Sequence, residues 1–397
     1  MTSRPTTRVL FYVQHLLGIG HLRRAAAIAR ALREAGAEVD FVSGGAPVEG
    51  LDLGGATLLQ LPPAVSADSG FSAILDETGN PIDDIWKDRR RAQLLDIFAR
   101  RRPDILLIEM YPFGRRQFRF ELLPLLQAAT ERPAAQGGRP LIACSLRDIL
   151  VDKSRPDRVA ETVEAVRRYF DLVLVHGDPR LVTLDRTFAG AAALAAQLRY
   201  TGYVVEQPQM PADGKRDRRD GEILVSAGGG AVGAPLFAAA LAARPLSRYR
   251  DRPWRLITGR NLPAPAARQL AEQARTAGGV IVETFRQDFT LLLQSCLLSI
   301  SQGGYNTVME LIAAETPSVI VPFADGAESE QSLRARLLAE RGSLTLLESD
   351  RLTPEALAAA IDRAGEQAPD RDASFTLDLD GARRSAAILL QRCGGTP

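Results

Sequence analysis

Short runs of β-branched and aromatic residues alternate along this chain with longer segments in which apolar residues recur every three or four positions. The first run, Arg8 to Val13, is followed by a glycine-containing turn and by an alanine- and leucine-rich segment, Leu22 to Ala35, that Gly36 ends. These two patterns predict a buried parallel strand and a helix. Val39 to Ser43 predicts a second strand, so the chain opens with a strand–helix–strand unit.

The same alternation continues to residue 204 and starts again at residue 222, after a segment rich in proline, glycine and charge. Further strands are predicted at residues 104–110, 140–145, 172–176, 222–226, 255–258, 280–283, 297–301 and 318–321. Further helices are predicted at residues 122–129, 157–170, 234–243, 265–277, 288–295, 307–314, 329–341, 353–364 and 381–392. Strands that alternate with helices favour doubly wound parallel sheets.

We therefore predict an α/β protein with two Rossmann-like domains of the doubly wound parallel-sheet type, facing each other across a cleft. The N-terminal domain is assigned to residues 1–204, the linker to 205–221 and the C-terminal domain to 222–378. A final helical segment, 379–397, is expected to pack back on the N-terminal domain. Open sheets of this class bind ligands beyond the carboxyl ends of their strands, so we expect the ligand there.

Length and composition narrow the class of protein. A chain of 397 residues fits two domains, and its formal net charge of +1 gives no global field that indicates nucleic acid. Three scattered cysteines, Cys144, Cys296 and Cys393, form neither a disulfide framework nor a zinc motif, so we expect a reducing cytoplasmic location. The sequence shows no signal peptide and no run of about 18 apolar residues. Peripheral attachment to the inner face of the membrane stays open.

The loop after the first predicted strand, Gly18-Ile19-Gly20-His21, suits a ligand that approaches the backbone closely. Gly18 and Gly20 also begin the dinucleotide pattern G-x-G-x-x-G, and Asp40 stands where a ribose-binding acid is expected. Arg23 replaces the third glycine, which argues against NAD without excluding it.

Three residues near predicted strand ends are candidates for proton transfer. His21 lies at the mouth of the first loop, where an imidazole could take a proton from an acceptor hydroxyl, or could instead only fix the loop by hydrogen bonding. Glu109 and Asp148 follow two other predicted strands. Each carboxylate could act as the base or orient it, and each could equally be a helix cap or a salt-bridge partner.

Two glycine-rich segments in the second half are candidates for phosphate binding. Gly228, Gly229 and Gly230 lie between a predicted strand and a helix, where a mobile turn is the alternative. The second segment runs from Gln302 through Gly303 and Gly304 to a helix that carries the donor candidates Asn306, Thr307 and Glu310. Glu310 lies one turn inside this helix and could hold two ribose hydroxyls, or the helix start could be capped for stability alone. Glu330 and Gln331 begin another helix and could bind sugar hydroxyls.

The second glycine segment resembles the donor-binding signature of inverting GT-B glycosyltransferases, H-C-G-W-N-S-x-x-E followed by P and D/E-Q. Gly304, Asn306 and Glu310 match it, Tyr305 and Thr307 match conservatively, and Glu330-Gln331 resembles its closing pair. The first loop, 18–21, is similar to that of the family 28-type, MurG-like transferases, which use UDP-sugars.

This resemblance implies a role for each matching position. Glu310 would bind the donor ribose, the glycines at 228–230 and 303–304 would cradle the diphosphate, and Phe285 and Arg286 would flank the base. Glu330 and Gln331 would hold the transferred sugar, Gly20 would also bind the donor, and His21 would lie near the reaction centre. Gln302 stands in place of the signature's histidine, so backbone amides, helix ends or an arginine such as Arg23 or Arg286 would have to neutralise the leaving diphosphate. We expect no cofactor and, since no D-x-D pair is present, no metal requirement.

The acceptor side is assigned to the segment Tyr111 to Phe120, in which arginines alternate with aromatic residues. Tyr111, Arg115 and Arg116 could grip an anionic or lipid-linked acceptor. The nearby runs 89–91 and 100–102 could add to a basic surface, or all these arginines could be solvated in the ordinary way.

The sequence thus predicts a hexosyltransferase that moves a sugar from a nucleotide donor, UDP by preference, to an acceptor hydroxyl with inversion. Two alternatives stay open: a UDP-sugar 2-epimerase of the same fold, which would form product without an acceptor, and a non-catalytic nucleotide-sugar-binding protein. An oxidoreductase would bind NAD instead. Sugar, acceptor and oligomeric state are not determined by the sequence.

Overall fold

The computed structural model describes residues 6–16, 18–67, 73–150, 156–205, 221–229, 232–286, 288–323, 330–366 and 376–394. The chain divides into two units, Met1–Val204 with Asp378–Pro397, and Val205–Leu377. The domain boundaries predicted from the sequence lie at residues 204 and 378. Most of the predicted linker, residues 206–220, lies outside the described residues.

The first unit contains a sheet of seven parallel strands, and a short antiparallel hairpin lies beside it. Its strands are β1 (Arg8–Val13), β2 (Glu38–Ser43), β3 (Thr57–Gln60), β4 (Val65–Ser66), β5 (Ile74–Leu75), β6 (Ile105–Glu109), β7 (Leu141–Arg147), β8 (Leu172–His176) and β9 (Leu198–Tyr200). Its first four α-helices are α1 (Gly20–Glu34), α2 (Asp84–Arg101), α3 (Arg119–Thr130) and α4 (Pro156–Tyr169). The strand order is β3-β2-β1-β6-β7-β8-β9, so the sheet grows outwards in both directions from the β1–β6 pair.

The second unit repeats this plan with a sheet of six parallel strands. Its strands are β10 (Ile223–Ser226), β11 (Trp254–Ile257), β12 (Val280–Glu283), β13 (Leu298–Ser301), β14 (Ser318–Ile320) and β15 (Thr345–Leu346). Its helices are α5 (Ala234–Ala243), α6 (Ala264–Ala277), α7 (Phe289–Ser295), α8 (Tyr305–Ala313), α9 (Glu330–Ala339) and α10 (Pro354–Glu366). In the order β12-β11-β10-β13-β14-β15, the chain first extends the sheet on one side of β10 and then, from β13, on the other side. The point at which the strand order reverses therefore lies between β10 and β13.

The buried strands explain the apolar runs that marked them in the sequence. In β1, Leu10 and Tyr12 face a core that α2 and α3 cover, whereas Val9 and Phe11 face a second core on the opposite side of the sheet. Successive side chains of a strand point to opposite faces, and a strand covered on both faces is apolar throughout. The predicted α/β class with two doubly wound parallel sheets is confirmed.

The last helix, α11 (Gly381–Cys393), belongs to the first unit although it follows the second in the sequence. Ala386 and Leu389 are buried in the same core as the apolar side of α1. Tyr203 N donates a hydrogen bond to Asp378 O, and Gly381 N donates one to Tyr203 O, so the returning chain is fixed at residues 203 and 378–381. Among the described residues, no helix combines the length and the apolar character that a membrane span requires.

Candidate functional site

In the first unit, the candidate proton-transfer residues meet beside the central strand pair. β1 and β6 are neighbours, and His21 in the first turn of α1 reaches Glu109, the last residue of β6. The His21 Nδ1 lies 2.7 Å from Glu109 Oε1. Arg24, one turn further along α1, donates from Nη2 to the same oxygen at 2.5 Å. This is the edge at which doubly wound sheets place ligands, beyond the strand pair where the order reverses.

The contact with Glu109 determines which nitrogen of His21 is available. Two groups lie within hydrogen-bond distance of His21 Nδ1: Glu109 Oε1 at 2.7 Å and Arg24 Nη2 at 3.0 Å. An ionised carboxylate only accepts hydrogen bonds, so the shorter contact assigns the hydrogen to Nδ1 and leaves the lone pair on Nε2. Burial lowers the pKa of His21 from 6.5 to about 4, since it outweighs the attraction of Glu109 for the charged ring. The side chain is still 22% exposed. His21 is therefore a neutral, partly exposed base at neutral pH.

Glu109 is fully buried and remains ionised. Burial acts to raise its pKa, but the charge and hydrogen bond of His21 and the charge of Arg24 outweigh burial and lower the pKa to about 2. Glu109 Oε2 has no hydrogen-bond partner within the described part of the chain. A buried carboxylate with one oxygen committed to His21 and Arg24 can hold the ring in one tautomer and stabilise it after it gains a proton.

A second buried network supports the end of β1. Arg90 donates to both oxygens of Glu121 at 2.8 and 3.0 Å and to Gln14 Oε1 at 2.5 Å. Tyr12 donates to Glu121 Oε1 at 2.5 Å. Arg115 Nε then donates to Gln14 O at 2.7 Å, which fixes the loop that leads to His21.

In the second unit, the two glycine-rich segments are also neighbours, because they follow β10 and β13 on either side of the reversal point. Gln302 N donates to Ser226 O at 3.2 Å, and Gln302 Nε2 donates to Val232 O at 3.2 Å. Gly228 has a φ of +56°, a left-handed conformation that favours glycine. Gly230 lies outside the described residues.

Helix α8 begins at Tyr305, three residues after Gln302. Gly304 is the N-cap residue and provides no side chain to the first N–H groups, and a Cβ built on it would meet no atom within 4 Å. Gly303 has no such room, because a Cβ there would lie 3.2 Å from Gln331 Cβ. Open backbone amides at a helix start suit an anionic group. Asn306 and Thr307 lie in the first turn and are partly buried.

The acidic donor candidates are less open. Glu310 is only 6% exposed, so it is not on a solvated helix face. Glu330 begins α9 and is partly buried, while Gln331 Oε1 accepts a hydrogen bond from Phe323 N at 3.1 Å. The ribose role of Glu310 and the sugar roles of Glu330 and Gln331 stay predictions.

The sequence of the chain is similar to those of known glycosyltransferases. Residues 224–375 match the model of the glycosyltransferase family 28 C-terminal domain. A UDP-N-acetylglucosamine--N-acetylmuramyl-(pentapeptide) pyrophosphoryl-undecaprenol N-acetylglucosamine transferase of Prochlorococcus marinus (strain MIT 9312) is 34% identical over 83 residues, 21% of this chain and 23% of that protein. The same transferase of Desulforudis audaxviator (strain MP104C) is 29% identical over 136 residues, 33% of this chain and 36% of its own length. The chain is similar to MurG-like glycosyltransferases. The predicted resemblance is confirmed.

Solved structures agree on the fold over nearly the whole chain. MurG of Acinetobacter baumannii has a TM-score of 0.59 at 14% identity and covers 98% of this chain and 100% of its own. The calicheamicin glycosyltransferase CalG4 has a TM-score of 0.58 at 16% identity, and the match covers 98% of this chain and 94% of CalG4. The UDP-GlcNAc 2-epimerase of Methanocaldococcus jannaschii has a TM-score of 0.60 at 9% identity, and the match covers 97% of this chain and 100% of the epimerase. These likenesses show that the chain has the GT-B fold.

The acceptor-side candidates do not form one exposed basic surface. Tyr111 is buried, and Arg115 is partly buried with its Nε on Gln14 O. Arg116 is bound to α4, since it pairs with Glu161 at 3.0 Å and donates to Thr162 Oγ1 at 3.0 Å. Their acceptor roles stay predictions.

Asp148 lies deeper than the sequence suggested. It is 1% exposed and accepts a hydrogen bond from Tyr203 Oη at 3.2 Å. The sequence analysis also treated the arginine runs of α2 as surface, but Arg90 is fully buried. Glu109 is thus the carboxylate that the structure brings to His21.

Near the predicted base-binding turn, the structure shows a residue that sequence reasoning missed. Phe285 is exposed, and the guanidinium of Arg260 lies over its ring, with 4.7 Å from Cζ to the centroid. Arg286 is held instead by Asp288, at 2.7 and 2.6 Å, and this hydrogen bonding raises its pKa. The Gly259-Arg260 pair after a predicted strand was the signal that could have revealed this residue.

Proposed function

We propose that the chain transfers a sugar from a nucleotide donor, UDP by preference, to an acceptor hydroxyl with inversion at the sugar carbon. The observation that carries the proposal is the His21–Glu109 contact of 2.7 Å, which leaves a neutral imidazole nitrogen available beside the reversal point of the sheet. The family 28 match over residues 224–375 supports the donor half.

The chemistry is a single displacement. His21 Nε2 takes the proton of the acceptor hydroxyl. At the same time the acceptor oxygen forms a bond to the anomeric carbon of the donor sugar, and the bond from that carbon to the diphosphate oxygen breaks. Glu109 stabilises the imidazolium that forms, as a buried carboxylate does for a histidine base. One displacement inverts the anomeric centre, and the nucleoside diphosphate leaves with the bonding electrons.

On the donor side, the glycine turn at 228–229 and the start of α8 would receive the diphosphate. Amides that point at developing negative charge lower the barrier without a metal. Gln331 and Glu330 would contact the transferred sugar, and Glu310 the ribose. This assignment follows the GT-B signature and needs no cofactor.

The named relatives suggest the substrates. Both are N-acetylglucosamine transferases whose names give UDP-N-acetylglucosamine as the donor and an N-acetylmuramyl-(pentapeptide) pyrophosphoryl-undecaprenol as the acceptor. We propose a UDP-hexose or UDP-hexosamine donor and an anionic or lipid-linked acceptor, reached from the cytoplasmic face of the membrane as a peripheral protein. The matched segments span only 23% and 36% of those relatives, so the substrates belong to the proposal.

The test combines binding and turnover. Transfer is measured with labelled UDP-N-acetylglucosamine, UDP-glucose and UDP-galactose against polyprenyl-diphosphate sugars and diacylglycerol in detergent. We expect His21→Ala and Glu109→Gln to lower kcat by about 100-fold or more and to leave the Kd for UDP within about twofold. An exposed-helix variant, Gln391→Ala, serves as the control. Full turnover in His21→Ala would refute the base assignment.

A second candidate follows from the likeness to a UDP-GlcNAc 2-epimerase, whose TM-score of 0.60 is as high as that of MurG. The same incubation without acceptor separates the two functions. The 2-epimer of the donor sugar would indicate the isomerase, whereas binding of UDP with neither transfer nor epimer would indicate a non-catalytic binding protein.

A further inference from the structure

Arg260 is an exposed arginine that stacks on an aromatic ring and has no ion-pair partner among the described residues. It lies in the turn after β11, and its Cζ is 4.7 Å from the ring centroid of Phe285, which follows β12. No hydrogen bond or ion pair of its guanidinium appears within the described part of the second unit. Stacking on an aromatic ring orients a guanidinium while its N–H groups stay available.

The turn that carries Arg260 is packed directly on the glycine turn after β10. Gly259 has a φ of +79°, and a Cβ on it would lie 2.5 Å from Gly228 O and from Gly229 C. Asn261 N donates to Gly229 O at 3.0 Å. Arg260 is therefore anchored on both sides, by its two chain neighbours, to the segment proposed to receive phosphate.

Two other arginines near this edge, Arg286 and Arg255, are already paired with carboxylates. Arg286 is bidentate with Asp288, and Arg255 pairs with Glu222 at 2.6 Å and Glu283 at 2.9 Å. Gln302, where the GT-B signature has a histidine, is neutral and bound to Val232 O. A diphosphate bound at the glycine turn needs a counter-charge that these groups do not supply.

We propose that Arg260 binds the diphosphate of the nucleotide donor. The inference rests on the proposed function. The ends of β11, β10 and β13 are adjacent, so their turns lie within about 10 Å of one another, a span that one arginine and one diphosphate can bridge. A planar guanidinium offers paired donors to phosphate oxygens.

The test is calorimetric titration of the full chain with UDP, UMP and uridine. Arg260→Gln removes the charge and keeps a polar side chain of similar reach, and Arg260→Lys keeps the charge without the planar fork. Arg268→Gln, on the exposed side of α6, removes the same charge from the same unit and is the matched control. Circular dichroism checks that each variant is folded.

We expect Arg260→Gln to raise the Kd for UDP by about 10- to 100-fold and that for uridine by less than about twofold. The Kd of Arg260→Lys for UDP should lie between those of Arg260→Gln and the parent chain, and the Kd of Arg268→Gln should equal that of the parent. An unchanged UDP Kd in Arg260→Gln, or an equal loss for UDP and uridine, would overturn the diphosphate role. If the parent chain itself fails to bind UDP, the proposed function fails first.

Discussion

Glu109 and burial together set the protonation state of His21. The pKa of His21 falls to about 4 and that of the wholly buried His176 to about 3, in both cases mainly because burial penalises the charged ring. His176 lies between Ser145 Oγ at 2.7 Å and Thr201 Oγ1 at 2.9 Å. Both rings are neutral in the folded protein at neutral pH.

These depressed pKa values predict a pH-dependent stability. Below pH 6.5 these histidines bind protons in the unfolded chain but stay neutral in the folded chain. The free energy of unfolding therefore falls as the pH drops below 6.5. The His21 contribution is lost by about pH 4 and the His176 contribution by about pH 3. Each histidine contributes up to about 1.4 kcal/mol per pH unit. Urea unfolding at pH 7 and pH 5 measures the slope.

His176→Asn should make that slope shallower. Ser145→Ala, which removes a neighbour of the same ring without removing a titrating group, should lower the free energy of unfolding and keep the slope. Equal slopes in the parent and His176→Asn would contradict the assignment of the proton uptake to His176.

At the scale of elements, the sequence located the apolar central strands and most helices, but it missed the short strands β3, β4, β5, β9 and β15 and one charged helix. β8, β12 and α5 have the bounds that their patterns predicted, because an apolar run in a buried strand or an alanine-rich helix is visible without tertiary information. Helix α2 was missed. Its buried stripe is Trp86, Arg90, Leu94, Ile97 and Phe98, and an arginine in the middle of the stripe hides the helical period.

The same limit applies to the candidate site. His21 and Glu109 could be proposed from their places after predicted strands, but that Glu109 and not Asp148 reaches His21 depends on the pairing of β6 with β1. The role of Arg116 was open for a similar reason, since its partners on α4 are more than 40 residues away in the chain.

Arg90 is predicted to be a large contributor to the stability of the first unit. Arg90→Met leaves the Glu121 carboxylate buried without its cation and should cost about 3 to 5 kcal/mol of unfolding free energy. Arg89→Met removes an arginine of the same helix that pairs at the surface with Glu77, and should cost less than about 1 kcal/mol. Chemical denaturation of both variants measures the difference, and similar losses would contradict the prediction.

At the scale of the whole molecule, the first unit depends on a helix from the far end of the chain. Leu389 of α11 is fully buried in the core that α1 lines, so Leu389→Ala should cost about 2 to 5 kcal/mol. Gln391→Ala, on the exposed side of α11, should change little.

The two tryptophans allow this loss to be assigned, because Trp86 is in the first unit and Trp254 in the second. In a Trp254→Phe background, fluorescence reports the first unit alone; in a Trp86→Phe background it reports the second. Leu389→Ala should move the Trp86 transition and leave the Trp254 transition in place. A shift confined to Trp254 would refute the assignment.

The return of α11 also sets an order of events on the ribosome. Residues 378–394 leave the exit tunnel after all of the second unit, so the apolar side of α1 that faces Ala386 and Leu389 has no cover while residues 205–377 are being made. The second unit is continuous in the chain and needs nothing translated later. The half of the protein that is translated first is therefore the half that is completed last.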